Sequence, residues 1–495
     1  MKIQLFSIFS SNQNVNSSLK NKVLTGTFWL YLLQFFTSGL QIVQTIILAR
    51  ILLPEHFGIV GIFLIFSNGL ESFTNTGFNK ALIQKKEVNK SYLDTAWTVS
   101  IVRGLLLFTI IYFGSPFIVD FLNTPDALPV VRVLGLIMLI QGFSNTGTVY
   151  FSRNLNFFKQ FLWKGVPFLG NFIISIPLAI TLKNEWAIAW GMLASSILYL
   201  FFSFYLHPYR PRLKYNHKIF KELFYYGKWL FLASVVAFFS KQGDKIFLAN
   251  LLNPTLLGTY LIAWKFARLP EFLTNPLPNA LFPAYSKMQD QQNVLREKYI
   301  EVLSIIGFFY IPFVGSMVVL AQPFVNLILG EKWIEAVLPM QILTLGVGIC
   351  IIAYISTSLF NATGKTNFNF LMNSTHLLTT AIFIYPMIKN YGIAGAAICF
   401  LISSVFIFIV WKIEIFKLIR FDFLSLKCIF IPFLSTTFVV LIKLLVESYV
   451  VLSDLVILLS TIGIGSILYV FIGILLEKIT GIDFILSLHK KVKNF

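Results

Sequence analysis

The chain has 495 residues, of which 57% are hydrophobic, 16% are aromatic and only 12% are charged. Soluble domains usually have about a quarter of their residues charged, so half that share over a chain of this length excludes an ordinary water-soluble enzyme. The mean hydropathy of +0.78 excludes intrinsic disorder, which requires low hydrophobicity and high charge. The composition therefore predicts an integral membrane protein.

Apolar stretches of transmembrane length follow one another along the chain. A hydrocarbon core of about 30 Å needs about 20 apolar residues per helix, and fourteen stretches approach that length. Because no segment between them could form a soluble domain, we predict an all-α integral membrane protein with about fourteen transmembrane helices. The predicted spans are residues 24–50, 57–78, 95–119, 129–152, 157–181, 185–206, 228–252, 257–284, 299–320, 335–361, 368–387, 392–412, 427–447 and 453–476.

The distribution of basic residues predicts the orientation. Lys and Arg number 39 against 21 Asp and Glu, which gives a formal net charge of +18. Alternate loops and tails hold 27 Lys and Arg on one side of the membrane and three, Lys183, Lys332 and Lys389, on the other. Cytoplasmic loops are enriched in Lys and Arg, so both termini are predicted to be cytoplasmic. The net charge then needs no nucleic-acid partner, and the N-terminal tail is interpreted as cytoplasmic and not as a cleaved signal peptide.

Two stretches 200 residues apart share a pattern. Residues 48–58 and 248–258 have Leu, Ala, Leu, Pro and Gly at equivalent positions, and Trp29-Leu30 matches Trp229-Leu230. The offset contains six spans, an even number, so the pattern predicts parallel repeats related by an axis along the membrane normal.

The repeat divides the chain into predicted regions. Two six-helix bundles are followed by two further helices, and a substrate would pass between the bundles by alternating access. The regions are a cytoplasmic N-terminal tail (1–23), an N-lobe (24–206), a cytoplasmic linker (207–227), a C-lobe (228–412), helices 13 and 14 (427–476) and a basic cytoplasmic tail (477–495).

Further motifs begin in the seventh span. They are Asp244 followed by Leu248-Ala249, Leu257-Gly258-Thr259-Tyr260, Phe282-Pro283 and Gly330-Glu331-Lys332-Trp333. Together with the arrangement of spans, these motifs resemble the polysaccharide flippase branch of the multidrug/oligosaccharidyl-lipid/polysaccharide (MOP) exporter superfamily, and most of all its lipopolysaccharide and colanic-acid-type exporters. The resemblance covers nearly the whole chain and is clearest over residues 24–410.

The resemblance implies a function. Members of this branch move an undecaprenyl-diphosphate-linked oligosaccharide from the inner to the outer leaflet of the bacterial inner membrane, for O-antigen, capsule or exopolysaccharide synthesis, and they are not enzymes. It implies no cofactor, with H⁺ or Na⁺ as the coupling ion. The expected partners are the lipid-linked oligosaccharide, membrane lipid and other polysaccharide-assembly proteins, with a monomer as the default state. The glycan itself is not specified by the sequence.

Two alternatives stay open. A drug or cation antiporter of the same superfamily would need an acidic, aromatic site. A membrane-embedded polysaccharide polymerase or ligase would need a long outer loop for its chemistry. The sequence has no GxxxxGKS phosphate loop, and Cys350, Cys399 and Cys428 lack metal or redox spacing. We therefore expect no metal site.

Five basic residues lie deep within predicted spans. Lys241 and Lys245 share one helix face, and Lys265 and Arg268 lie on the following span. With Arg103 they are the candidates for binding a lipid diphosphate, because a charge at bilayer depth normally faces a wet cavity or a partner. The alternative is internal pairing, as Lys241–Asp244 or Arg268–Glu271.

The deep acidic and amide residues form the rest of the predicted site. Asp244 is the candidate for ion coupling, with neutralisation by flanking lysines as the alternative. Gln41 and Gln44 lie on a polar stripe of the first span, and Glu71 and Asn75 lie on a stripe of the second. Such side chains suit a glycan cavity, and hydrogen bonding between helices explains them nearly as well.

Overall fold

The computed structural model describes residues 17–74, 77–85, 88–275, 277–365, 367–420, 427–449 and 453–480. The outer parts of both predicted tails, residues 1–16 and 481–495, lie outside these ranges. The first nine helices are α1 (Ser17–Ile51), α2 (Pro54–Phe73), α3 (Phe78–Gln84), α4 (Lys90–Phe121), α5 (Leu128–Gly142), α6 (Val149–Arg153), α7 (Phe157–Leu182), α8 (Trp186–Tyr205) and α9 (His217–Leu251). The others are α10 (Pro254–Ala267), α11 (Glu271–Thr274), α12 (Leu277–Lys287), α13 (Gln292–Val319), α14 (Ala321–Phe324), α15 (Val337–Ala362), α16 (Asn367–Ile419), α17 (Lys427–Tyr449) and α18 (Asp454–Thr480).

The all-α membrane fold predicted from the sequence is confirmed. In the described ranges the regular structure is helical and contains no strand. Ten of the described helical segments are long and apolar enough to cross a membrane. One of them, α16, bends at Gly392, where φ is 55°, and covers two predicted spans, 368–387 and 392–412. The total of fourteen spans stays a prediction.

Two predicted spans are interrupted and do not form continuous helices. In place of one helix over 129–152, α5 ends at Gly142 and a short 3₁₀ turn leads into α6. The Asn145 side chain accepts a hydrogen bond from the Gly147 N–H at 2.8 Å and donates to the Tyr209 carbonyl at 2.7 Å. An asparagine side chain that bonds the backbone in this way competes with the helical backbone hydrogen bonds, so the helix is interrupted there.

The predicted span 257–284 is also interrupted. It begins earlier, at Pro254, and α10 ends at Ala267 before a turn over residues 268–270. Pro270 has no N–H group, so it cannot continue the helical hydrogen bonds, and α11 and α12 follow as separate pieces.

The chain forms two compact units, one ending at Leu261 and one beginning at Ile262. In the first, α7 packs on α1 and α8, α4 on α5, and α2 on α9. In the second, α15 packs on α16 and α13 on α17, around a core that includes Tyr299, Phe360 and Trp411. The predicted division into lobes at residues 206 and 228 stays a prediction.

The two copies of the repeated motif contact each other within the first unit. Pro54 and Pro254 are the first residues of α2 and α10, a position where the missing N–H group costs nothing. A Cβ atom on Gly58 would lie 1.9 Å from the Pro254 carbonyl oxygen, and one on Gly258 would lie 1.9 Å from the Pro54 carbonyl oxygen. The contact is therefore reciprocal, and only glycine fits at either position. We call these four residues the glycine contact.

A hydrogen bond joins the start of α2 to the residue that precedes α8. His56 Nδ1 donates to the Glu185 carboxylate at 2.8 Å, and both side chains are largely shielded from solvent. This hydrogen bond lowers the pKa of Glu185 below its usual 4.5, against a smaller opposing effect of burial. The pair lies at the end of the bundle opposite the basic loops.

The lowered pKa of Glu185 predicts a pH-dependent stability. Because the pKa is depressed in the folded state, the pair contributes stability above about pH 4.5, and this is lost as pH falls through the lowered pKa. We expect Glu185→Gln to cost on the order of 1 kcal/mol at neutral pH and less in acid. Thermal unfolding of both proteins across this pH range measures the difference. Glu55→Gln, an exposed neighbour, is the control, and a Glu185→Gln cost that does not change with pH would contradict the assignment.

Candidate functional site

Arg103 lies near the middle of α4, about 20 Å along the helix from Lys90 at a rise of about 1.5 Å per residue. Its Nε donates to Thr74 Oγ1 at 2.8 Å, and its Nη2 donates to the Glu71 carbonyl oxygen at 3.2 Å. The guanidinium therefore supplies a hydrogen bond to a carbonyl oxygen in the last turn of α2, where helix carbonyls lack partners within the helix. The Glu71 carboxylate attracts it as well. The structure thus brings together two predicted site residues, Glu71 and Arg103.

Close packing of α4 against α5 fixes the position of Arg103. A Cβ atom on Gly104 would lie 2.9 Å from the Gly142 Cα atom and from the Met138 carbonyl oxygen. The neighbouring glycines let the two helix backbones approach, as is common between transmembrane helices. Arg103 therefore lies on a helix that packs closely on α5, and its guanidinium is hydrogen-bonded to Thr74 and to the end of α2.

Asp244 is the centre of a second cluster, near the end of α9. The Tyr260 hydroxyl donates to Asp244 Oδ2 at 2.7 Å, and Lys245 Nζ lies 3.4 Å from Asp244 Oδ1. Lys245 Nζ also donates to the Lys241 carbonyl oxygen at 2.8 Å. The exposed fractions of Asp244, Lys245 and Tyr260 are 7%, 6% and 0%. The carboxylate thus has a hydrogen-bond donor on one oxygen and an ammonium near the other.

The other predicted basic residues differ in exposure. Lys241 is exposed, and its backbone carbonyl oxygen accepts a hydrogen bond from Lys245. Lys265 is partly buried. Arg268 is half exposed and pairs with Glu271, with 2.6 Å between Nη2 and Oε2. This is the internal pairing that the i,i+3 spacing allowed, whereas Asp244 pairs with Lys245 in place of Lys241.

The predicted amide residues have separate environments. Gln44 is buried and donates to Asn171 Oδ1 at 3.0 Å and to Ser175 Oγ at 2.7 Å, which links α1 to α7. Gln41 is exposed. Asn75 lies outside the described residues. Contact of Gln41 and Gln44 with a glycan stays a prediction, and Gln44 joins α1 to α7.

Sequence reasoning missed Asp94, in the first turns of α4. Its buried carboxylate accepts hydrogen bonds from the Tyr209 hydroxyl and from the Arg212 N–H, the latter at 2.9 Å. Burial and this bond raise the pKa of Tyr209. No local pattern marks Asp94, because its partners are more than 100 residues away. Among the described residues no group of His, Cys, Asp and Glu side chains is arranged to hold a metal ion.

The fold is shared with solved membrane transporters. The structure of a lipid II flippase, MurJ, in an inward closed conformation matches 91% of this chain and 99% of its own, with a TM-score of 0.75 and 15% identity. An inward-facing multidrug resistance MATE family transporter of the MOP superfamily matches 78% of this chain and 96% of its own, with a TM-score of 0.65 and 15% identity. The chain therefore has the fold of these all-α, multi-pass membrane proteins.

The sequence assigns the chain more narrowly. Residues 47–338, more than half of the chain, match the family of polysaccharide biosynthesis proteins, and the chain belongs to this family. The lipopolysaccharide biosynthesis protein WzxC of Escherichia coli (strain K12) is 26% identical over 77% of both chains. The succinoglycan biosynthesis transport protein ExoT of Rhizobium meliloti (strain 1021) is 23% identical over 65% of both. These matches confirm the resemblance drawn from the motifs.

Proposed function

We propose that this chain moves an oligosaccharide linked to undecaprenyl diphosphate from the inner to the outer leaflet of the bacterial inner membrane. The match to the polysaccharide biosynthesis family over residues 47–338 carries this proposal. The fold shared with a lipid II flippase supports it. The chain acts as a transporter and transforms no substrate, and it needs no cofactor.

The deep positive charges suit such a cargo. A charged side chain at bilayer depth costs at least about 2.5 kcal/mol, so it normally faces a partner or a wet cavity. Arg103 is bonded through Nε and Nη2, and its Nη1 group carries two more N–H donors. A diphosphate is a compact anion that an arginine can bind through two parallel hydrogen bonds. We assign Arg103 to the diphosphate, with Glu71 and Thr74 holding it in place.

The proposal includes the orientation of the chain in the membrane. Both termini lie in the cytoplasm, because 27 Lys and Arg lie on one side of the membrane and three on the other. The glycine contact and the His56–Glu185 pair then lie on the outer side. The protein works as a monomer, with H⁺ or Na⁺ as the coupling ion.

Leaflet transfer in liposomes tests the proposal. Purified protein should transfer a fluorescent undecaprenyl-diphosphate oligosaccharide across the vesicle membrane. We expect Arg103→Gln to reduce the rate about tenfold or more, since a charged hydrogen bond to the cargo is worth roughly 1.5–3 kcal/mol. Arg103→Lys should retain part of the rate, because it keeps the charge and loses the bidentate geometry.

Arg132→Gln is the matched control. Arg132 is also an arginine on a spanning helix, and its Nε donates to Ser115 Oγ at 3.3 Å. It lies near the predicted outer end of its span, so we expect transfer close to wild type. Thermal unfolding of every variant separates lost transfer from lost folding. Equal losses in Arg103→Gln and Arg132→Gln would remove Arg103 from the cargo site and leave the flippase proposal standing.

The same vesicles distinguish the alternatives. Extrusion of a cationic dye against a proton or sodium gradient, without transfer of the oligosaccharide, would replace the flippase proposal by a drug or cation antiporter. Lengthening or ligation of the glycan by the purified protein would replace it by a polymerase or ligase.

A further inference from the structure

Residues 207–216, which we call the strap, join α8 to α9 and are hydrogen-bonded to α4 and to Asn145, which follows α5. Asp94 accepts from the Arg212 N–H at 2.9 Å, and Asn145 Nδ2 donates to the Tyr209 carbonyl oxygen at 2.7 Å. Thr98 Oγ1 donates to the Lys214 carbonyl oxygen at 3.0 Å and accepts from the Lys214 N–H at 3.1 Å. The strap therefore has a fixed position beside α4 and α8.

A groove of about 550 Å³ runs between α4 and α8 beside the strap. This volume is in the range of about 300–1,000 Å³ that small-molecule sites have. Trp97, Phe143, Phe204 and Tyr205 are among its wall residues, and Arg210 of the strap is its charged wall residue. The Trp97 indole is held by a 3.1 Å hydrogen bond from Nε1 to the Phe143 carbonyl oxygen. The groove is thus apolar along its length and basic at the strap.

The basic end of the groove has more than one positive charge. Arg210 Nη1 donates to the carbonyl oxygens of His207 at 2.7 Å and Tyr209 at 3.1 Å, which leaves other N–H groups of this exposed guanidinium for a ligand. Lys159 Nζ is 3.4 Å from the Leu206 carbonyl oxygen. Burial and the charges of Lys159 and Arg210 lower the pKa of His207, so both cations act on the same small region.

We propose that this groove binds an anionic phospholipid of the cytoplasmic leaflet, with an acyl chain along the aromatic wall and the phosphate at Arg210. The proposal rests on the topology given above, which places the strap at the cytoplasmic surface. Basic pockets between transmembrane helices on that side are suited to anionic headgroups, and each Lys or Arg near the surface attracts them.

The accessibility of the groove favours a lipid over a soluble anion. Tyr205 and Phe201 are 71% and 57% exposed, and their rings stack with centroids 5.8 Å apart. Both lie at the end of a spanning helix, so an acyl chain can enter from the bilayer. A zwitterionic lipid would fill the same apolar wall, but its headgroup has no net charge to complement Arg210 and Lys159.

Thermal unfolding of the whole protein in defined lipid tests the proposal without measuring transport. Wild type is reconstituted in phosphatidylethanolamine alone or with added phosphatidylglycerol. We expect added phosphatidylglycerol to raise the Tm by roughly 4 °C or more. Arg210→Gln should lose this gain. Arg212→Gln, which removes the same charge from another exposed site on the strap, should keep it.

Two further measurements test whether the effect needs both the acyl chain and the phosphate of the lipid. Leu200→Trp narrows the groove and should reduce the gain while leaving Arg210 intact, because Leu200 is one of its wall residues. Glycerol phosphate in place of lipid should give no gain. The proposal is overturned if wild type gains nothing, if Arg210→Gln gains as much as Arg212→Gln, or if glycerol phosphate reproduces the effect. Failure of the flippase assay would leave these results unaffected.

Discussion

Replacing Gly58 or Gly258 with alanine is expected to lower oligosaccharide transfer about tenfold or more. A Cβ atom at either position would lie 1.9 Å from a proline carbonyl oxygen of the other copy, closer than any two such atoms can approach. Overpacking of this kind costs about 1–3 kcal/mol or more, and about 1.4 kcal/mol corresponds to a factor of ten in population. The starts of α2 and α10 would have to separate, so the arrangement in which they touch becomes rare.

Leaflet transfer and thermal unfolding are measured for both variants. Gly39→Ala and Gly114→Ala are the matched controls, because a Cβ atom there meets nothing within 4 Å. Both controls lie in spanning helices, and alanine is the better helix former, so they should transfer at the wild-type rate. If Gly58→Ala transferred as fast as Gly114→Ala, the glycine contact would have no part in the transport cycle.

The double variant tests whether the two glycines form one contact. Gly58→Ala and Gly258→Ala both prevent the same close approach of the starts of α2 and α10. Once one substitution has separated these helix ends, adding the second should reduce transfer and stability little further. Residues that share a contact give non-additive changes, whereas distant residues add. Costs that sum would mean that the two positions act separately.

The sequence identified the four residues of the glycine contact as equivalent positions of a repeat, but it did not predict that they touch. The 200-residue offset aligned Pro54 with Pro254 and Gly58 with Gly258. A repeat read from one sequence says that two segments fold alike. It does not say that they touch, because contact depends on how the helices pack and not on local pattern.

Helix positions were predicted well where hydrophobicity decides them, and poorly where polar side chains do. The break after Gly142 depends on Asn145, which bonds Gly147 and the distant Tyr209. Hydropathy does not detect a single asparagine within an apolar stretch. Similarly, Pro270 follows the end of α10 and cannot continue its hydrogen bonds, whereas hydropathy predicted a single span over 257–284.

In the candidate site, partners close in sequence could be predicted and partners far apart in sequence could not. The i,i+3 spacing offered Arg268–Glu271 as a pair, and the structure has it. The partners of Arg103 lie about 30 residues earlier, on α2, so no local spacing could assign them. For Asp244 the flanking lysines were both candidates, and only side-chain geometry selects Lys245.

Asp244→Asn is expected to destabilise the protein by about 3 kcal/mol, because it removes the negative charge that faces the buried Lys245 ammonium. Removing one partner of a buried ion pair typically costs about 3–5 kcal/mol, since an uncompensated charge remains. Chemical denaturation in detergent micelles measures the free energy of unfolding. Glu414→Gln is the matched control: it breaks the more exposed Lys417–Glu414 pair, and such pairs contribute about 0–1 kcal/mol.

The double variant Asp244→Asn with Lys245→Met separates a structural pair from a coupling site. If the carboxylate mainly neutralises Lys245, removing the ammonium as well should recover most of the stability lost in Asp244→Asn, because no buried charge is left unpaired. The Tyr260 hydroxyl can still donate to the asparagine oxygen that replaces the carboxylate. If Asp244 instead binds the coupling ion, the double variant would be stable and its transfer would no longer respond to a proton or sodium gradient. A stable double variant whose transfer still follows the gradient would show that Asp244 balances charge and that the ion is bound elsewhere.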